Sequence, residues 1–225
     1  MGVVMNAPDA RFPQGNRNES RQDNIRIFIA VTLPDHVACW LSEIQEELKA
    51  CGLPVQWTRT GNIHLTLKFL GEIPAQDIAG VCQAVGASAG NVGPLEIFAK
   101  GIGVFPGVKR PRVLWTGISG RTDLLGDLHQ NMDAALHAFG FPKDERAFTG
   151  HLTIGRFKTD RRPHGRGAES IPELLIEIMK KYQSIASSPF LADAIHVFKS
   201  DLTPKGPIYT NLSTVRLAGG VERLS

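Results

Sequence analysis

The chain has 225 residues, enough for one domain or for two small lobes sharing an interface. Hydrophobic residues at 42% and charged residues at 21% exclude a mostly disordered chain, and no apolar run approaches the roughly 18 residues of a membrane helix. A net charge of +3 does not by itself indicate nucleic-acid binding, so the basic residues matter only if they cluster. Cys39, Cys51 and Cys82 form no C-x-x-C pair, and the expectation is reduced thiols in a cytoplasmic protein rather than a disulfide framework or a zinc site.

Residues 1–24 have no apolar stretch of a secretory signal and are rich in Asn, Arg, Gln, Gly and Pro, which predicts a flexible tail. A strand is expected over 25–33, almost continuously apolar, followed by a helix from Asp35 to about Ala50 with Leu41, Ile44 and Leu48 on one face. Extended pieces follow at Val55–Trp57 and Ile63–Leu70, then a helix over 74–89. Strands at Leu95–Lys100 and Arg112–Ile118 precede an amphipathic helix over 122–139. A strand at Phe148–Phe157, a helix over 172–186 and strands at Phe190–Lys199 and Ile208–Leu217 complete the chain, the last two joined by a Pro204–Pro207 turn. The interleaving predicts an α/β or α+β domain.

A shift of 87 positions superposes the two halves. Leu41 falls on Leu128, and His64-Leu-Thr-Leu67 falls on His151-Leu-Thr-Ile154. Two copies at so long a period imply two similar lobes related by a pseudo-two-fold axis, about 25–105 and 112–200, within a single bilobal domain over 25–225. In a strand the side chains alternate, so His64 and Thr66 share one face and Leu65 and Leu67 the other, with the same split in the second copy. Seven histidines and 12 threonines in 225 residues give about 0.4 chance His-x-Thr matches, so one copy is weak. Two copies that also share their aliphatic residues and their place in the repeat are not. Two imidazoles and two hydroxyls meeting across a cleft suit concerted acid–base work on a phosphoryl group, with one histidine taking a proton from water and the other giving one to a leaving oxygen. Arg156, five residues after His151, offers a planar fork for phosphate.

These residues resemble the 2H phosphoesterases, in particular the RNA 2′,3′-cyclic phosphodiesterases also called 2′-5′ RNA ligases. The resemblance spans about 25–217 and rests on IRIFIAVTLP, HLTLKFLGEI, the 100–115 stretch KGIGVFP…PRVLW, and FTGHLTIGRF. It implies an α+β fold of two pseudo-symmetric lobes, each an antiparallel-rich sheet with outer helices and the active-site cleft between the sheets. It implies His64 and His151 as the catalytic pair, Thr66 and Thr153 as phosphate ligands, and Arg156 as a substrate contact; it favours His151 as base and His64 as acid, while the near symmetry of the two motifs leaves the reverse assignment open. It implies hydrolysis of an RNA 2′,3′-cyclic phosphate end to a 2′-phosphate by a cytoplasmic monomer with no cofactor, no metal and no membrane partner. Reverse 2′-5′ ligation comes with the resemblance. Gly150 stands where many relatives carry Pro, and Ile29 where some offer an aromatic ring to the base. The alternatives are a related enzyme for small cyclic nucleotides or 2′-5′ oligonucleotides, and a non-catalytic protein that holds RNA ends.

Other patterns weigh less. Gly86-Ala-Ser-Ala-Gly90 fits a nucleophile-elbow string but follows a helix instead of a strand. No H-E-x-x-H or nearby acidic ligand joins the two histidines, which argues against a metal. His129 and His137 are expected to be surface or packing residues, and His36 and His196 have no evident partner. Basic residues do cluster, at Lys109, Arg110 and Arg112 and again at Lys158, Arg161, Arg162, His164 and Arg166, where RNA phosphates or plain solvation would explain them equally.

Overall fold

A computed structural model of the chain describes residues 23–158, 170–204 and 206–219. The elements are β1 (Asn24–Val31), α1 (Asp35–Ala50), β2 (Val55–Trp57), β3 (Leu65–Pro74), α2 (Ile78–Ala89), β4 (Leu95–Phe105), β5 (Val113–Gly120), α3 (Thr122–Ala138), β6 (His151–Phe157), α4 (Ile171–Tyr182), β7 (Phe190–Ala192), β8 (Ala194–Thr203) and β9 (Gly206–Arg216). The strands run in the order β7-β4-β5-β6-β3-β1-β8-β9, with β2 on β6, and every pairing is antiparallel. The α+β class and the two lobes are as expected. Their sheets, however, join through one residue pair, Leu65 with Leu152, into a single curled sheet.

Each half of the chain lends its last long strand to the other lobe. β4 leaves the first half to pair with β5, and β8 leaves the second half to pair with β1. The helices cross over in the same way. Gln45 of α1 donates from Nε2 to the carbonyls of Thr58 and Ile154, both at 2.8 Å, which fastens α1 behind β6. Leu41, Leu48, Leu65, Leu128, Leu152 and Ile154 are all at 0% exposure, so the aliphatic residues of both repeated motifs carry the core beneath the site.

Several expected boundaries move, among them the strand expected at Ile63–Leu70, which is Leu65–Pro74, and the helices expected over 74–89 and 172–186, which are Ile78–Ala89 and Ile171–Tyr182; three further shifts have a clear physical reason. The strand expected over Phe190–Lys199 breaks at Asp193, because β7 borders β4 in one lobe whereas β8 borders β1 in the other. β4 runs on to Phe105 through a bulge at Gly101, where φ is 71°. β6 begins at His151 and not at Phe148, whose ring stacks on His129 with centroids 4.3 Å apart.

Candidate active site

The Leu65–Leu152 pair is the pivot of the site. Continuing its antiparallel register sets Thr66 across from His151 and His64 across from Thr153, on the face opposite the two leucines. The two histidines are then diagonal neighbours, about 7–8 Å apart at their Cα atoms. Both rings are held alike. His64 Nδ1 lies 3.0 Å from the Asn62 carbonyl and His151 Nδ1 lies 2.8 Å from the Thr149 carbonyl. A carbonyl only accepts, so each Nδ1 carries the hydrogen and each Nε2 is left for proton transfer.

The surroundings of the two rings differ. His64 stacks on Phe28 (4.6 Å between centroids) and meets Tyr209 edge-on at 5.3 Å. Burial among these rings pushes His64 down to about 4, against a smaller opposing effect of the Asn62 hydrogen bond. His151 meets Phe105 edge-on at 5.1 Å and Trp115 at 6.3 Å.

Arg156 reaches the cleft face through an irregularity. Five residues separate it from His151, and strict alternation would point it into the core. Val113 and Leu114 of β5 pair with Arg156 and Gly155, but Trp115 pairs with Thr153, so Ile154 is an extra residue in β6. The bulge leaves Ile154 and Gly155 both buried and returns Arg156 to the side of Thr153. Burial pushes the Tyr209 hydroxyl up, while the charges of Arg156 and Arg26 pull it the other way.

Position 29 is not a platform for a base. Ile29 is fully buried in the core, and the aromatic ring that β1 offers to the cleft is Phe28. His196 does have partners. Its Nδ1 is 3.1 Å from Thr214 Oγ1, and its ring stacks on Phe198 (5.6 Å), which stacks on Phe28 (5.2 Å). The rings of His196, Phe198, Phe28 and His64 therefore form one row. The alternation Ile195-His196-Val197-Phe198, in which buried Ile195 and Val197 alternate with the two rings, carried that signal in the sequence.

A buried ionic cluster behind β3 had no counterpart in the motif reading. Lys68, 3% exposed, bonds to Asp133 of α3, to Asp144 Oδ1 at 3.0 Å and to the Pro142 carbonyl at 3.1 Å. Asp144 also meets His129 Nε2 at 3.1 Å. Burial alone would raise Asp133, but the hydrogen bonds from Lys68 and from the Asp144 N–H hold its carboxyl below the ordinary value. His129 is thus a packing residue, and His137 is exposed with Nδ1 on the Phe141 carbonyl at 3.1 Å.

Lys109, Arg110 and Arg112 are exposed on the loop between β4 and β5. Arg161, Arg162, His164 and Arg166 lie outside the described residues. Among the described residues no group of three or more His, Cys, Asp or Glu is placed to hold a metal ion, and no helix is long and apolar enough to cross a membrane.

The sequence matches the family model described as LigT like Phosphoesterase over residues 31–115 and 119–209. The chain belongs to this family and is an enzyme, a cyclic phosphodiesterase. It is 31% identical over 193 residues to the RNA 2′,3′-cyclic phosphodiesterase of Methanothermobacter thermautotrophicus, covering 86% of this chain and 99% of the relative. It is 36% identical over 176 residues to the enzyme of the same name from Aquifex aeolicus, covering 77% and 86%. Among solved structures it is similar to the crystal structure of TT0787 of Thermus thermophilus, with a TM-score of 0.68, 25% identity and coverage of 87% and 99%.

Proposed function

We propose that the enzyme hydrolyses the 2′,3′-cyclic phosphate at RNA ends to a 2′-phosphate, by proton transfer between His64, His151 and substrate, in the cytoplasm and with no metal. The observation that carries this reading is the pair of imidazoles held identically through Nδ1, with both Nε2 atoms left to the same cleft. The relatives' printed activity supplies the substrate class. His151 Nε2 takes a proton as water attacks phosphorus, and His64 Nε2 gives one to the departing 3′ oxygen. The P–O3′ bond breaks, a P–O bond to water forms, and the product carries a 2′-phosphomonoester and a free 3′-hydroxyl. Thr66, Thr153 and Arg156 hold the phosphoryl oxygens, the arginine through a charge-assisted fork. A ribose 5′-hydroxyl in place of water would give a 2′-5′ linkage by the same steps, which is the reverse ligation.

The test is turnover of a 2′,3′-cyclic mononucleotide in EDTA with product analysis. An undiminished rate and exclusive 2′-phosphate are expected, because two imidazoles supply the base and the acid unaided. Reversible loss of activity in chelator overturns metal independence, and a 3′-phosphate product overturns the choice of leaving oxygen.

The acid role sets a condition on His64. Burial keeps its imidazole neutral in the free enzyme at any pH well above 4. An anionic phosphate alongside favours the imidazolium, each unit of upward shift being about 1.4 kcal/mol. Binding of a nucleoside 2′-phosphate at pH 6 should therefore take up protons, measured by calorimetry in two buffers of different ionisation enthalpy. Zero uptake would leave His64 neutral in the complex and give it the base role instead.

A further inference from the structure

The sheet face that carries His151 continues across β5 and β4 toward the outer edge of its lobe. On β5 the residue opposite His151 is Gly117, and opposite Gly117 on β4 is Lys100. Directly opposed residues of an antiparallel sheet share a face, so Lys100 stands on the same face as His151, two strand spacings or about 10 Å away. Between them the floor is bare backbone. A Cβ on Gly117 would lie 3.1 Å from the Lys100 carbonyl and 3.4 Å from the Trp115 ring, so the position admits a side chain only with displacement. Trp115 in turn lies flat over Gly103, where a Cβ would come within 2.2 Å of the indole. The two glycines thus lower the sheet surface and let the indole settle beside His151.

The floor opens into a cavity of about 460 Å³ between β4 and α4, lined by Lys100, Trp115, Ile176, Met179, Lys180 and Gln183 among others. That volume falls within the range of small-molecule sites. Its walls combine an indole, a thioether and an aliphatic side chain 42% exposed to solvent with two lysines. Neither Lys100 nor Lys180 enters an ion pair among the described residues. An aromatic and apolar slot next to two uncompensated ammonium groups is complementary to a nucleobase and its phosphate, since any base can stack and any phosphodiester is an anion.

We propose that this cavity binds the nucleotide immediately upstream of the reacting terminus. The internucleotide phosphate lies over Gly117 toward Lys100, and the upstream base enters between Trp115 and α4 beside Lys180. This rests on the RNA-end reading of the site and deepens it. The shared wall makes the two positions adjacent, because Trp115 lines the cavity and also stands 6.3 Å from the His151 ring. A cyclic mononucleotide fills only the catalytic position, whereas a dinucleotide with a 2′,3′-cyclic end fills both.

Steady-state kinetics on these two substrates, for the wild type and for Lys180→Glu at several salt concentrations, test the proposal. Lys180 is exposed on α4 and lies outside the catalytic set. The wild type should show a lower KM for the dinucleotide than for the mononucleotide. Lys180→Glu should raise the dinucleotide KM by about tenfold at low salt, because a carboxylate beside the upstream base repels the internucleotide phosphate held at Lys100, and by less as salt screens that repulsion. Mononucleotide kinetics should stay at the wild-type values, which also shows that the variant is folded. Equal KM values for the two substrates in the wild type overturn the proposal. So does an equal effect of Lys180→Glu on both, which would make α4 part of the catalytic position, and so does no effect on either, which would leave the cavity to another occupant such as a second copy of this chain. Failure of the RNA-end reading itself looks different, since a non-catalytic protein would turn over neither substrate and an enzyme for small cyclic nucleotides would turn over the mononucleotide alone.

Discussion

His64→Ala and His151→Ala are each expected to lower turnover of a 2′,3′-cyclic mononucleotide by about 10²–10⁴-fold. Each removes one end of the proton path, and the partner imidazole cannot serve as base and acid in one step. The double variant should lose little more than either single one, because groups acting as a unit are not additive. Folding should survive both changes. His64 and His151 lie on the cleft face, and the packing of the two strands rests on Leu65 and Leu152 beneath them, both at 0% exposure. His64→Ala also forfeits the stack on Phe28, so it should melt slightly earlier than His151→Ala. The measurement is kcat/KM beside a thermal melt for the three variants. Near-normal turnover in either single variant, with folding intact, would sink the two-histidine mechanism.

The parts of this site legible in the sequence are those governed by regular alternation. His64-Leu-Thr and His151-Leu-Thr read correctly as polar above and aliphatic below, because that period holds up to the pivot pair. α1 and α3 read correctly because their apolar stripes repeat at helical spacing. Four things depended on the backbone instead. Residues 25–33 are apolar on both faces, so nothing in them told Phe28 from Ile29, and only the fold puts one against His64 and the other in the core. The extra residue at Ile154 leaves no mark in the residue types, yet it decides which way Arg156 points. At Asp193 the apolar alternation runs on while the chain changes lobes, so one expected strand is two. The carbonyl bonds that set both histidine tautomers come from Asn62 and Thr149, whose side chains have no part in them.

The loop that delivers His151 hangs on a buried charge. Lys68 projects from β3 into a space where it is 3% exposed, and Asp133 on α3 is its more enclosed partner at 13% side-chain exposure. Asp144, at 42%, faces solvent on one side and joins Lys68 to His129. Asp133→Ala would leave an ammonium group in the interior with one half-exposed carboxylate, and it should destabilise the fold by about 3–5 kcal/mol. Asp144→Ala should cost clearly less, since water already screens that pair. The double variant Lys68→Met/Asp133→Leu replaces both charges with apolar volume and should recover most of the loss, because the desolvation cost of the two ions disappears with their attraction. Chemical denaturation of the three variants gives the comparison. A loss under about 1 kcal/mol for Asp133→Ala would mean that Lys68 escapes to solvent, and that the cluster does not anchor the loop. Activity should follow stability here, because Pro142 and Asp144 tie down the same segment whose Thr149 carbonyl orients the His151 ring.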